Sequence, residues 1–140
     1  MSILLRRMAL LLLLAATTAF ADDGVKVVYQ FSEGLEQASN GLRNIKNHLG
    51  ADPNVKIVAV ALSAGVDFLL KGAKDKNGAE YANAVADLQL AGVEFRACNN
   101  TLTRRNIDPN RLIGDVKIVP AGVAEIARLQ AKEGFAYIKP

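Results

Sequence analysis

The chain has 140 residues, 51% of them hydrophobic and 22% charged, with a formal net charge of +3, one cysteine and one histidine. That length holds one compact domain beyond a short leader, and is too small for two. A single cysteine excludes an internal disulfide, and one cysteine with one histidine excludes a Cys/His metal cluster.

Residues 1–21 read as a cleaved signal peptide. Arg6 and Arg7 form a basic start, and the apolar run from Met8 through Ala16 falls short of the ~20 residues that span a bilayer. Ala19-Phe20-Ala21 supplies the small-x-small pattern for cleavage before Asp22. The expected product is periplasmic or secreted, with no membrane span left after cleavage. Its 119 residues, 22–140, carry fifteen basic and fourteen acidic side chains. A net charge of +1 gives no positive surface for nucleic acid.

Along the mature chain, strand-like and helix-like stretches alternate. Val25–Phe31 is rich in β-branched and aromatic residues and predicts a first strand. Leu35, Ala38, Leu42, Ile45 and Leu49 recur at helical spacing, closed by Gly50. Val55–Leu62 is almost continuously apolar, the pattern of a strand covered on both faces. Val66–Leu70 predicts a helical turn, and Lys71–Gly78 a polar loop. Tyr81, Ala84, Val85 and Leu88 mark a second helix, ended by Gly92. Val93–Cys98 predicts the third strand, a helix follows from near Thr101, and Val116–Val119 predicts the fourth strand. Val123, Ile126, Ala127 and Gln130 share one face of a last helix, stopped by Gly134 before a short strand over Phe135–Ile138. The alternation predicts an α/β protein: a three-layer α/β/α domain with a mostly parallel five-stranded sheet.

Ligands of open parallel sheets bind beyond the carboxyl ends of the strands. That rule collects Gln30, Ser32 and Glu33; Ser63 and Asp67; Cys98 to Thr101; and Pro120 to Gly122. Cys98 stands out. A helix starting near Thr101 would offer free N–H groups and the positive end of its dipole to a thiolate, and Asn99 or Thr101 could cap it. Arg104 and Arg105 would add positive charge if they fold back toward the sulfur. Asn99, Asn100, Thr101, Arg104 and Arg105 are therefore the candidate substrate-binding residues around a catalytic Cys98. Three fates are open to this thiol: inert packing, pairing with Cys98 of another subunit, or chemistry. Glu94 and Arg96, on one face of the same strand as Cys98, suggest a subunit contact, a wet crevice or an exposed edge.

Other chemistries lack their signatures. Ser32-Glu33-Gly34-Leu35 does not have the glycine spacing of a dinucleotide loop, so no nucleotide cofactor is expected. Ser63 with Asp67 lacks the G-x-S-x-G setting and a suitably placed histidine. His48, late in the first helix, reads as a solvated helix end rather than a base for the thiol.

Gly92-Val93-Glu94-Phe95-Arg96-Ala97-Cys98-Asn99-Asn100-Thr101-Leu102, the run Val119-Pro120-Ala121-Gly122-Val123-Ala124-Glu125 and the ending Gly134-Phe135-Ala136-Tyr137-Ile138-Lys139-Pro140 resemble the DsrE/DsrF-like family over Lys26 to Pro140. The resemblance implies a three-layer α/β/α fold that assembles into trimers or hexamers. It also implies that Cys98 matches a cysteine that accepts and passes on sulfane sulfur as a persulfide, with no cofactor. Partners would be a sulfur donor or acceptor protein, or a small sulfane-sulfur compound. The leader departs from the better-known members, which work in the cytoplasm. A non-catalytic oligomeric binding module, with Cys98 only structural, is the alternative.

Overall fold

The computed structural model describes residues 24–140, and the signal peptide expected over residues 1–21 lies outside them. Five strands, β1 (Lys26–Phe31), β2 (Lys56–Ala61), β3 (Glu94–Cys98), β4 (Lys117–Val119) and β5 (Ala136–Ile138), alternate with helices α1 (Leu35–Ala51), α2 (Tyr81–Leu90), α3 (Asn99–Arg104) and α4 (Gly122–Glu133). Two 3₁₀ segments, Ser63–Leu69 and Pro109–Arg111, complete the elements of the described residues. The sheet order is β4-β3-β2-β1-β5 and every pairing is parallel, so the expected mostly parallel sheet is wholly parallel.

That order explains the layers. From β1 to β4 the chain steps in one direction, and right-handed crossovers place α1 and α2 on one face. The return from β4 to β5 runs the opposite way across the sheet, so the same handedness puts α4 on the other face. The two faces of each strand then feed two cores, because successive side chains point to opposite sides. Val27, Tyr29, Phe31, Ile57, Ala59, Phe95 and Ala97 pack under Ala38, Leu42, Ile45, Val85 and Leu88. Val28, Val58 and Val60 pack under Ile126, Leu129 and Phe135, with Leu62 at the margin.

The first core is anchored by Phe68, whose ring lies 5.0 Å from Phe31, 6.2 Å from Phe95 and 6.0 Å from Tyr81, centroid to centroid. These tilted and edge-on contacts add to the burial of large apolar area. Phe68 belongs to the 3₁₀ segment, which begins three residues earlier than the Val66–Leu70 turn expected from periodicity. The reason lies at Gly65. A Cβ there would sit 2.1 Å from the Phe31 carbonyl oxygen and 2.6 Å from the Ser32 nitrogen, so the segment rests directly on the end of β1.

The turn after β1 is organised by a buried glutamine that hydrophobic patterning passes over. Gln37 Oε1 accepts the N–H groups of Ser32 (2.9 Å) and Glu33 (2.8 Å), while its Nε2 donates to the Pro140 carbonyl (3.3 Å). The C-terminal tail is thereby tied to the start of α1, and Lys139 pairs with Glu33 at 2.6 Å. His48 differs from its expected solvated position: its Nδ1 lies 2.9 Å from the Tyr29 hydroxyl, and the imidazole packs edge-on against that ring. α1 also continues one residue past Gly50, with the Asp52 N–H bonded to the His48 carbonyl at 2.8 Å.

Candidate functional site around Cys98

Cys98 ends β3 and is itself the N-cap of α3, which starts at Asn99 rather than near Thr101. The backbone of an N-cap residue is extended while its side chain faces the first free N–H groups of the helix. Cys98 makes no side-chain capping hydrogen bond of the kind a serine or aspartate would make there. The N–H groups of Asn100 and Thr101 at the start of α3, and the Thr101 hydroxyl, favour the anion of the nearby sulfur. The fourth donor comes from a distant part of the chain: the N–H of Gly122, at the start of α4.

Gly122 is what permits that approach. A Cβ at this position would lie 3.3 Å from the Cys98 Cβ and 3.1 Å from the Leu62 Cβ, tighter than ordinary contact. Glycine lets the helix start settle onto the end of β3, so its N–H reaches the sulfur. The twelve residues of α4 contribute the positive end of their dipole to the same point.

Thr101 has a defined orientation. It is 2% exposed, and its Oγ1 accepts the Ser63 N–H at 2.9 Å. A hydroxyl has one proton, and with the Ser63 N–H on its lone pairs that proton is free to point at sulfur. Ser63 in turn takes a left-handed backbone, φ 52°, which side chains other than glycine seldom adopt. The carbonyl of Ser63 is gripped by Arg105 (3.0 Å), which also pairs with Asp67 at 2.7 Å.

The thiol is only 5% exposed. Burial is the largest single influence on it and raises its pKa, but the donors from Gly122, Thr101 and Asn100 together outweigh burial and hold the thiol below its ordinary value. A cysteine buried among apolar groups alone would move the other way.

The sheet-end rule thus gathers part of a site and also residues with other employment. Ser63, Cys98, Asn100, Thr101 and Gly122 converge. Asn99 is exposed on the first turn of α3, and the Asn100 N–H also reaches the Pro120 carbonyl at 3.2 Å. Arg104 and Arg105 sit at the far end of α3, where positive charge meets the negative end of the dipole. Arg105 is engaged by the Ser63 carbonyl and by Asp67. Ser32 and Glu33 belong to Gln37, and Gln30 accepts from the Tyr137 hydroxyl at 2.9 Å. A groove of about 620 Å³ between α1 and α2, lined by Leu42, Leu49 and Leu88 with Arg43, Lys46 and Asp87, contains none of the Cys98 group.

Glu94 and Arg96 find partners within the chain. The Arg96 guanidinium bridges Glu94 (2.8 Å) on its own strand and Glu125 on α4, Lys117 joins Glu94 at 3.1 Å, and Arg128 joins Glu125 at 2.9 Å. Side-chain hydrogen bonds, from Arg96 to Glu94 and from Arg128 to Glu125, hold both carboxyls below the usual carboxylate range. No one-dimensional pattern joins residue 96 to residue 125, so this pairing was not legible in the sequence.

The DsrE/DsrF-like family matches residues 7–140, which contain every element of this arrangement. The chain belongs to the DsrE/DsrF-like family. Among solved structures, this member is similar to the protein of unknown function MTH1491 from Methanobacterium thermoautotrophicum, at 33% identity and TM-score 0.73, over 83% of this chain and 99% of that one. The ychN protein from E. coli shares the fold at 20% identity and TM-score 0.67, over 84% of this chain and 99% of that one. No curated protein matches the chain significantly.

Proposed function

We propose that this DsrE/DsrF-like protein carries sulfane sulfur on Cys98 as a persulfide. The reading is carried by one observation: Cys98 sits where β3 runs into α3 with the start of α4 packed on it through Gly122, a setting in which groups of Gly122, Thr101 and Asn100 favour its anion against the pull of burial. The Cys98 thiolate attacks the outer sulfur of a sulfane donor. The Cys98 Sγ–S bond forms, the donor's S–S bond breaks, and the departing group leaves with the electron pair, as a thiolate from a polysulfide or as sulfite from thiosulfate. Transfer onward is the same displacement, with an acceptor thiolate attacking the outer sulfur and Cys98 leaving as thiolate. A lowered thiol pKa serves both directions, because it raises the fraction present as thiolate nucleophile and makes Cys98 a better leaving group.

In this reading the protein is exported on the signal peptide of residues 1–21 and exchanges sulfur with a protein or small-molecule partner outside the cytoplasm. It works as a homo-oligomer, a trimer or hexamer. Asn99, exposed on the first turn of α3 directly after Cys98, is the side chain an anionic donor meets first. Incubation with polysulfide or thiosulfate, read by intact mass, adds one sulfur atom to the wild type and none to Cys98→Ala; a wild type that gains no sulfur from either donor refutes the proposal.

The 5% exposure of Cys98 favours a second reading, a binding module in which the residue only packs. Labelling of the native protein with a thiol reagent separates the two, since a packing cysteine reacts only after denaturation.

A further inference from the structure

We propose that the Arg96–Glu125 ion pair is a positioning clamp, holding the first turn of α4 on β3 so that the Gly122 N–H stays on the Cys98 sulfur. The inference rests on Cys98 being the working thiol, and it assigns the residues that keep its environment in register.

The packing under α4 is uneven. Ile126 and Leu129 sit over Val28, Val58 and Val60, which belong to β1 and β2. Over β3 the residues on that face are Glu94, Arg96 and Cys98, with no apolar anchor among them. The N-terminal turn of α4 is therefore attached to the sheet through Gly122, packed on Cys98 and Leu62, and through Glu125, held by Arg96. Both side chains are largely shielded, 15% exposed for Arg96 and 12% for Glu125. Shielded ion pairs are poor sources of net stability, because desolvation opposes the attraction, and a best-attested use of such a pair is to fix register. The planar guanidinium suits that use: its separate nitrogens reach Glu94 and Glu125 together, tying strand to helix in one geometry. Lys117, Arg128 and Glu133 complete the charges around the pair: Lys117 bonds Glu94, and Arg128 bonds Glu125 and Glu133.

Two variants with opposite charge changes test positioning against simple electrostatics. Arg96→Met removes a positive charge near the thiol and Glu125→Gln removes a negative one. The pH profile of Cys98 alkylation by iodoacetamide gives the thiol midpoint in each, with circular dichroism to confirm folding. If the pair positions α4, both variants move the midpoint upward. The expected shift is about one pH unit, a roughly tenfold slower alkylation below both midpoints, on the scale of losing one hydrogen bond to an anion. If the pair acts only by charge, Arg96→Met moves the midpoint up and Glu125→Gln moves it down, and the proposal falls. Unchanged midpoints in folded variants, or a wild-type midpoint at the free-thiol value, overturn it as well. Arg96→Lys keeps the charge but loses the fork, so an intermediate upward shift supports positioning and a wild-type midpoint counts against it. The alkylation profile does not depend on sulfur transfer, so a protein that takes up no persulfide sulfur yet shows the paired upward shifts refutes the carrier reading and keeps the clamp.

Discussion

Thr101→Val is the most informative single change near Cys98. Valine replaces the hydroxyl with a methyl of similar size, so no cavity opens in a residue that is 2% exposed. Two hydrogen bonds are lost together. The sulfur loses a donor, and the Ser63 N–H, 2.9 Å from Thr101 Oγ1, loses its acceptor. A hydrogen bond to a charged group contributes ~1.5–3 kcal/mol, which corresponds to an upward shift of about 1–2 units in the thiol midpoint. The orphaned Ser63 N–H costs about 1–3 kcal/mol of stability, at a position already carrying a left-handed backbone. The assay is a pH titration of thiolate ultraviolet absorbance together with thermal melting of the same samples. Thr101→Ser keeps the hydroxyl and recovers the wild-type midpoint. An unchanged midpoint and melting temperature in Thr101→Val would show that the hydroxyl does not donate to the sulfur.

Four further outcomes follow from the same geometry. The thiol is depressed in the folded state, so its contribution to stability is complete above the ordinary thiol pKa and is lost as pH falls through the folded value; denaturation at a series of pH values should show this slope in the wild type and not in Cys98→Ala. Gly122→Ala places a Cβ 3.1 Å from Leu62 Cβ and 3.3 Å from Cys98 Cβ, so it should destabilise by ~1–3 kcal/mol in urea unfolding and slow alkylation of Cys98 by lifting the Gly122 N–H. Gly65→Ala is far harsher, with a Cβ 2.1 Å from backbone oxygen, and soluble expression with a native melting transition would contradict the packing of the 3₁₀ segment on β1. Arg105→Met breaks a half-exposed pair with Asp67 and should change stability by no more than about 1 kcal/mol in urea unfolding, without moving the Cys98 midpoint.

The fold was legible because its signals are local. Val55–Leu62 reads as a doubly covered strand from its unbroken apolar run, and Leu42 and Ile45 mark the buried face of α1 from their spacing. Boundaries slipped where a non-local contact decided them. The segment after β2 begins at Ser63 because Gly65 must lie on Phe31, and that depends on a residue more than thirty positions earlier.

At the site the division is the same. The sequence by itself determined that the lone cysteine lies where a strand runs into a helix, and that no second thiol competes for it. A thiol in that setting gains donors from the following residues, Asn100 and Thr101, by helix geometry alone. Tertiary structure decided the rest. Because β5 joins the sheet on the far side of β1, a right-handed return carries α4 over the opposite face and begins it beside the end of β3. That brings the Gly122 N–H to sulfur and Glu125 to Arg96. It also sets Arg105, at the far end of α3, against Ser63 and Asp67. Chain direction and helix polarity are written locally, but which helix start meets which strand end depends on strand order, and strand order is settled only by the packing of the whole sheet.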